Sequence, residues 1–174
     1  VRLALDGDGN LLSEAVLAKE GDVLAGQTEF VEVFETDPHG SALNEAGDFL
    51  FAADLTGSTV TDGAIYLNAV LIAQEGSPSP VPLRNYELLL NRALGLGNQG
   101  SNVFKANLDG VTTDDDLIIK DGAVFKRESE SFAAIAPFQL ENMGLATGPL
   151  AVDDNGHVVW YGDWNDPNQN VDTG

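Results

Sequence analysis

Carboxylates dominate the reactive inventory of this chain, since 28 Asp and Glu stand against 8 Lys and Arg and there is no cysteine. Asp6-Gly7-Asp8-Gly9-Asn10 alternates oxygen-bearing side chains with glycines, the kind of segment that can wrap a hard cation such as calcium. Asp6, Asp8, Asn10 and Glu14 are its candidate ligands. The EF-hand order fails here, because the twelfth position counted from Asp6 is Leu17. An uncomplexed turn is therefore the stronger expectation. A second segment sets Trp160, Tyr161 and Trp164 beside Asp163, Asn165, Asp166 and Asn168. Rings of this kind present a flat apolar face with a polar tip, suited to stacking on sugars, while the carboxylates and amides can orient hydroxyls. The competing reading makes Trp160 and Trp164 core residues.

Other chemistries find less support. Paired-carboxylate hydrolysis depends on a fixed separation in space, and no spacing along the chain fixes one. Asp114-Asp115-Asp116 is the densest acidic run, yet successive side chains of an extended segment alternate faces, so it reads as a solvated loop. No Gly-x-Ser-x-Gly elbow is present, and His39 and His157 lack metal-ligand spacing. Gly95, Gly97 and Gly100 come without the lysine of a phosphate-binding loop. The absence of cysteine removes thiol catalysis and cysteine-based metal centres. No catalytic residue is assigned, and a non-enzymatic role is expected.

A formal net charge of -20 repels nucleic-acid phosphates and anionic headgroups, leaving cationic partners open. The hydrophobic fraction of 43% is too high for a disordered acidic chain. The apolar runs fall far short of the roughly 20 residues that a spanning helix needs.

Positioning these groups is the task of a recurring element. Asn44-Glu45-Ala46-Gly47-Asp48-Phe49-Leu50-Phe51 is echoed at an offset of 53 by a segment ending in Gly100-Ser101-Asn102-Val103-Phe104, and again, 56 further on, by Asp153-Asp154-Asn155-Gly156-His157-Val158-Val159-Trp160. The spacing divides the single domain, 1–174, into approximate units 1–40, 41–93, 94–148 and 149–174, the first and last partial. Within a unit, short apolar runs alternate with turn formers, a β pattern. Strands are expected near Asp48 to Asp54, Ala64 to Leu67, Val70 to Gln74 and Tyr86 to Leu90, then Asn102 to Asn107, Leu117 to Ile119, Ala123 to Lys126 and Phe132 to Phe138. Tyr86 to Leu94 could alternatively supply a short helix, bracketed by Pro82 and Gly95.

A four-stranded meander cannot cover both of its own faces, so units of this size bury them against neighbours. The fold expected is all-β: tandem antiparallel four-stranded units resembling propeller blades, in a ring that is incomplete or completed by association of copies.

These residues resemble the tandem Asn-x-x-Gly-x-x-x-Phe repeat proteins of bacteria, many of them predicted to be exported. Asn44, Gly47 and Phe51 match the motif fully, Gly100 and Phe104 match its last two positions with Gly97 in the asparagine place, and Asp153, Gly156 and Trp160 form a conservative version. An Ala-x-Leu-x-Gly ending follows at Ala53 to Gly57 and Ala106 to Gly110, and an Ala-x-x-Gly segment lies at Ala73 to Pro80 and at Ala18 to Asp22. The resemblance implies a secreted or cell-surface module and supplies no catalytic residue.

The motif also has its own physical reading. Asn44 or Asp153 can bond a nearby backbone amide, Gly47, Gly100 and Gly156 can take positive φ, and Phe51, Phe104 or Trp160 then wedges between sheets. The leading functional expectation is a surface module for adhesion or scaffolding, with a glycan or protein partner. A carbohydrate-binding module centred on Trp160 to Asn168 is the first alternative, and a hydrolase with paired carboxylates the second.

Overall fold

The structure is a computed structural model that describes residues 1–35, 40–89, 92–144 and 148–168. His39 and the tail 170–174 of the last, partial unit lie outside the described residues. Every regular element among the described residues is a β-strand, and the named strand pairs are all antiparallel. No helix of the structure is long and apolar enough to cross a membrane.

An N-terminal hairpin of β1 (Arg2–Leu5) and β2 (Leu11–Ala15) precedes two five-stranded sheets. The first sheet holds β3 (Val31–Phe34), β4 (Ser41–Leu43), β5 (Phe49–Leu55), β6 (Gly63–Leu67) and β7 (Val70–Gln74). The second holds β8 (Tyr86–Leu88), β9 (Leu94–Leu96), β10 (Asn102–Leu108), β11 (Asp116–Lys120) and β12 (Ala123–Arg127). Both are meanders whose first strand is broken in two: β3 and β4 share β5, just as β8 and β9 share β10. The C-terminal strands β13 (Leu140–Asn142), β14 (Leu150–Val152), β15 (Val158–Trp160) and β16 (Asp163–Trp164) pair as β13 with β16 and β14 with β15.

Alternation along β5 and β10 determines what stacks on what. Leu50 and Ala52 of β5 meet Phe104, Ala106 and Leu108 of β10 in one buried cluster, so the two sheets lie face to face. The opposite face of β5 buries Phe51, Ala53 and Leu55 with Leu24 and Phe34. The opposite face of β10 sends Val103, with Ile118 of β11, against Leu140, Leu150 and Trp160. Phe51, Phe104 and Trp160 thus each point toward the chain that precedes their own sheet, Phe51 and Phe104 fully buried and Trp160 half-buried.

The sheets group the strands one step out of phase with the units read from sequence. Tyr86–Leu88 pairs with β10 of the following sheet and does not continue the sheet of Val70–Gln74. The helical alternative at Tyr86 to Leu94 is not adopted where described, because Tyr86 and Leu88 are tied into the ladder of β10. The strand expected over Phe132 to Phe138 is absent: the Ile135 and Ala136 N–H groups fold back onto the Phe132 carbonyl, and Pro137 has no N–H to offer a ladder. Pairing resumes at Leu140 instead. The hairpin turns at Asn68-Ala69 and Asp121-Gly122 have φ between +51° and +78° at all four residues, the mirror-image geometry that matches strand twist.

Candidate functional site

The recurring motif builds one turn four times. A backbone N–H at Asp6, Asn44, Gly97 and Asp153 donates to the carbonyl four residues on, and Gly9, Gly47, Gly100 and Gly156 donate back to those starting residues with φ near +80°. Where the first residue carries an acceptor, its Oδ1 also takes the N–H four residues later: Asn10 on Asp6, Asp48 on Asn44 and His157 on Asp153, each at 2.8 Å. The segment with calcium-loop character is therefore the same turn as that at Asn44. Asp6 Oδ1 accepts from the Asp8 and Asn10 amides, Asp6 Oδ2 accepts from Asn10 Nδ2, and Glu14 lies on β2 opposite Leu3. The Asn10 hydrogen bonds hold the Asp6 carboxyl below its ordinary pKa. Among the described residues no three His, Asp or Glu side chains gather in a way that could hold a metal ion.

The turns are bonded to one another across sheets. Asn44 Nδ2 donates to the Gly97 carbonyl at 3.1 Å, the Glu45 N–H donates to Asn98 Oδ1 at 2.9 Å, and the Asn98 N–H donates to Asp154 Oδ1 at 2.9 Å. Gly97 departs from the asparagine of the motif for a steric reason, since a Cβ there would stand 3.2 Å from the Asp153 carbonyl oxygen.

The aromatic segment divides. Trp160 and Trp164 line one open cavity of about 250 Å³ with Phe132, Ile135, Leu140 and Gly162. Trp160 sits edge-on to Phe125, ring centroids 5.8 Å apart. Asp163, Asp166 and Asn168 are not part of that lining: Asp163 Oδ2 accepts from Asn142 Nδ2, and Asp166 Oδ1 accepts from the Asn168 N–H. Tyr161 is exposed and also outside the lining. Apart from Asn165, the polar groups that share Leu140 with the tryptophan cavity are ones that sequence reasoning missed. Across Leu140 lies a polar cleft of about 330 Å³ lined by Thr112, Thr113, Glu128, Ser129, Gln139, Glu141 and Asn165. Burial, opposed by the Asp116 amide and helped by Asp115, pushes the Glu128 carboxyl up to about 7. One signal was legible: Ser129 replaces the Gly21 and Gly76 of the earlier connections, keeps their positive φ, and adds a hydroxyl.

The acidic run is not a solvated loop. Asp114 binds both Arg84 and Arg127, while Asp116 lies 3.6 Å from Arg92. Lys105, at the position matching Ala52, is buried on the same face of β10 as Val103, and burial lowers its pKa. Comparison with known proteins finds no matching family model, no similar curated protein and no similar solved structure.

Proposed function

We propose that this chain is a non-enzymatic β-repeat module of the bacterial surface or extracellular space, made of propeller-like blades and serving adhesion or scaffolding. One observation carries the reading. The residues that recur are consumed by turns, by the bonds between turns, as in Glu45 to Asn98 to Asp154, and by wedges between sheets, which leaves Trp164 and the half-buried Trp160, the one wedge ring that lines an open cavity, to meet a ligand. The exposed Leu3, Leu5, Leu11 and Leu12 of the N-terminal hairpin support completion of the stack by a further β unit, in a copy of the chain or beyond it.

A carbohydrate-binding module is the second reading, favoured because Trp160 and Trp164 share one cavity that opens beside a polar cleft. These are the chain's two tryptophans, so intrinsic emission reports on that cavity alone. Titration with candidate surface polymers, with mass spectrometry of the recovered ligand, tests both readings. A saturable emission change with intact ligand supports a binding module. Cleavage of the ligand, abolished in Glu128→Gln or Glu141→Gln, would establish the hydrolase instead.

A further inference from the structure

The polar cleft beside the tryptophans has a counterpart one sheet earlier. A cleft of about 370 Å³ is lined by Thr59, Val60, Gly76, Asn85, Tyr86, Glu87 and Asp109. Its residues correspond in order to those of the C-terminal cleft: Thr59 to Thr112, Gly76 to Ser129, Asn85 to Gln139, Tyr86 to Leu140, Glu87 to Glu141 and Asp109 to Asn165. The backbone around each is fixed in the same way. Gly76 donates to the Tyr86 carbonyl at 2.7 Å and Ser129 to the Leu140 carbonyl at 2.9 Å. Asp109 Oδ1 and Asn165 Oδ1 accept the Asn85 and Gln139 N–H groups, both at 2.9 Å. Each cleft therefore lies where one sheet hands over to the next, and two such clefts face solvent on successive sheets.

We propose that these clefts are tandem subsites for one neutral polysaccharide chain, an assignment that rests on the carbohydrate reading above. Glu87 and Glu141 are exposed carboxylates that make no hydrogen bond or ion pair with the described residues, which leaves both free to accept from sugar hydroxyls. The threonine hydroxyls and the Gln139 side chain add groups that donate as well as accept, Asn85 Nδ2 keeps one N–H beside the one it gives to Asp109 Oδ2, and Ser129 Oγ, which donates to the Thr113 carbonyl, is left to accept. Neither lining contains Lys or Arg, and the net charge is -20, so sulfated, phosphorylated or uronate polymers are repelled. Stacked sheets lie on the order of 10 Å apart, so a ligand reaching both clefts must span several linked rings. The C-terminal cleft shares the lining residue Leu140 with the tryptophan cavity, where one ring of the polymer stacks. At its counterpart Phe104 and Leu108 stand at the matching positions and are buried, so neither is open to a ring of the polymer.

The test is titration calorimetry of the intact chain with cellohexaose, xylohexaose, chitohexaose and oligolysine, read together with tryptophan emission. The proposal predicts that at least one hexasaccharide binds, that Glu87→Ala and Glu141→Ala each weaken it about tenfold, as loss of a hydrogen bond to a charged group does, and that the trisaccharide of the same sugar binds much more weakly. Glu45→Ala, which removes the same single charge outside the clefts, leaves binding intact. A hexasaccharide weakened by Trp164→Ala and untouched by Glu87→Ala overturns the tandem arrangement while sparing the aromatic cavity. Binding of oligolysine alone, or of none of the probes, overturns both.

Discussion

Glu45 and Asn98 stand 53 residues apart and are joined by a hydrogen bond of 2.9 Å from the Glu45 N–H to Asn98 Oδ1. Asn98 passes the relationship on, its own N–H reaching Asp154 Oδ1 across a separation of 56 residues. In the third and fourth turns the side chain just after the start thus accepts from the matching amide of the preceding turn. Asn98→Ala removes one acceptor and should cost about 1 kcal/mol, whereas Glu45→Ala, which keeps the donating N–H, should cost less. Chemical denaturation of the two variants measures the difference.

The close passage of β9 against β14 depends on glycine. A Cβ on Gly95 would meet Val103 Cγ1 at 2.9 Å and the Leu150 carbonyl oxygen at 3.3 Å. Gly95→Ala should therefore destabilise by about 1–3 kcal/mol, the usual cost of overpacking. A thermal melt that does not move would show that the strands can separate without loss.

Phe104 is fully buried between the two large sheets, 6.3 Å from Tyr86 by ring centroid. Truncation to alanine should cost about 3–5 kcal/mol. Trp160→Ala, made at a half-buried ring beside an open cavity, should cost clearly less in the same denaturation assay.

Ala69 holds φ +64° at the position that Gly122 occupies in the other hairpin. A left-handed alanine is strained by roughly 1–2 kcal/mol, against an unfolded-state cost of about 0.5–1 kcal/mol for glycine. Ala69→Gly should accordingly raise stability by up to about 1 kcal/mol, read as a higher denaturation midpoint.

Glu128 gives the protein a pH dependence of definite sign. Its folded pKa of about 7 lies above the ordinary 4.5, so the folded state binds the extra proton between those values. Its contribution to stability is present in full below about pH 4.5 and is lost as the pH rises through 7. Glu128→Gln should flatten that part of the stability profile. Asp153 acts in the opposite sense at the acid end: bonded by His157, its carboxyl sits at about 2, so its contribution is lost as the pH falls from 3.8 through 2.

The turns and second strands were legible because glycine, an Asx side chain and an aromatic at fixed spacing each answer a local demand. The broken first strand was not. β4, β9 and β14 are three residues long, and their pairing is set by partners across a turn, with little pattern of their own. That the Asp6 turn is a copy of the Asn44 turn was not legible, because Ser13 stands where Phe51 stands in the Asn44 turn, and the missing ring concealed the likeness. Cleft residues such as Glu87 and Glu141 carry no local signature, since sheet handover alone brings them beside threonines from an earlier loop. The buried oxygens of Asp54, Asn107 and Asp163 fall at matching positions and lack hydrogen-bond partners, which no sequence spacing announced.

The claim on which the account rests is that the turn motif docks one sheet onto the next. Amide hydrogen exchange at Glu45, compared between the native chain and Asn98→Ala, tests it most directly. The account predicts a protected Glu45 amide that becomes exchangeable in the variant while the amides of β5 and β6 keep their protection. A Glu45 amide that exchanges at open-chain rates in the native protein would contradict it.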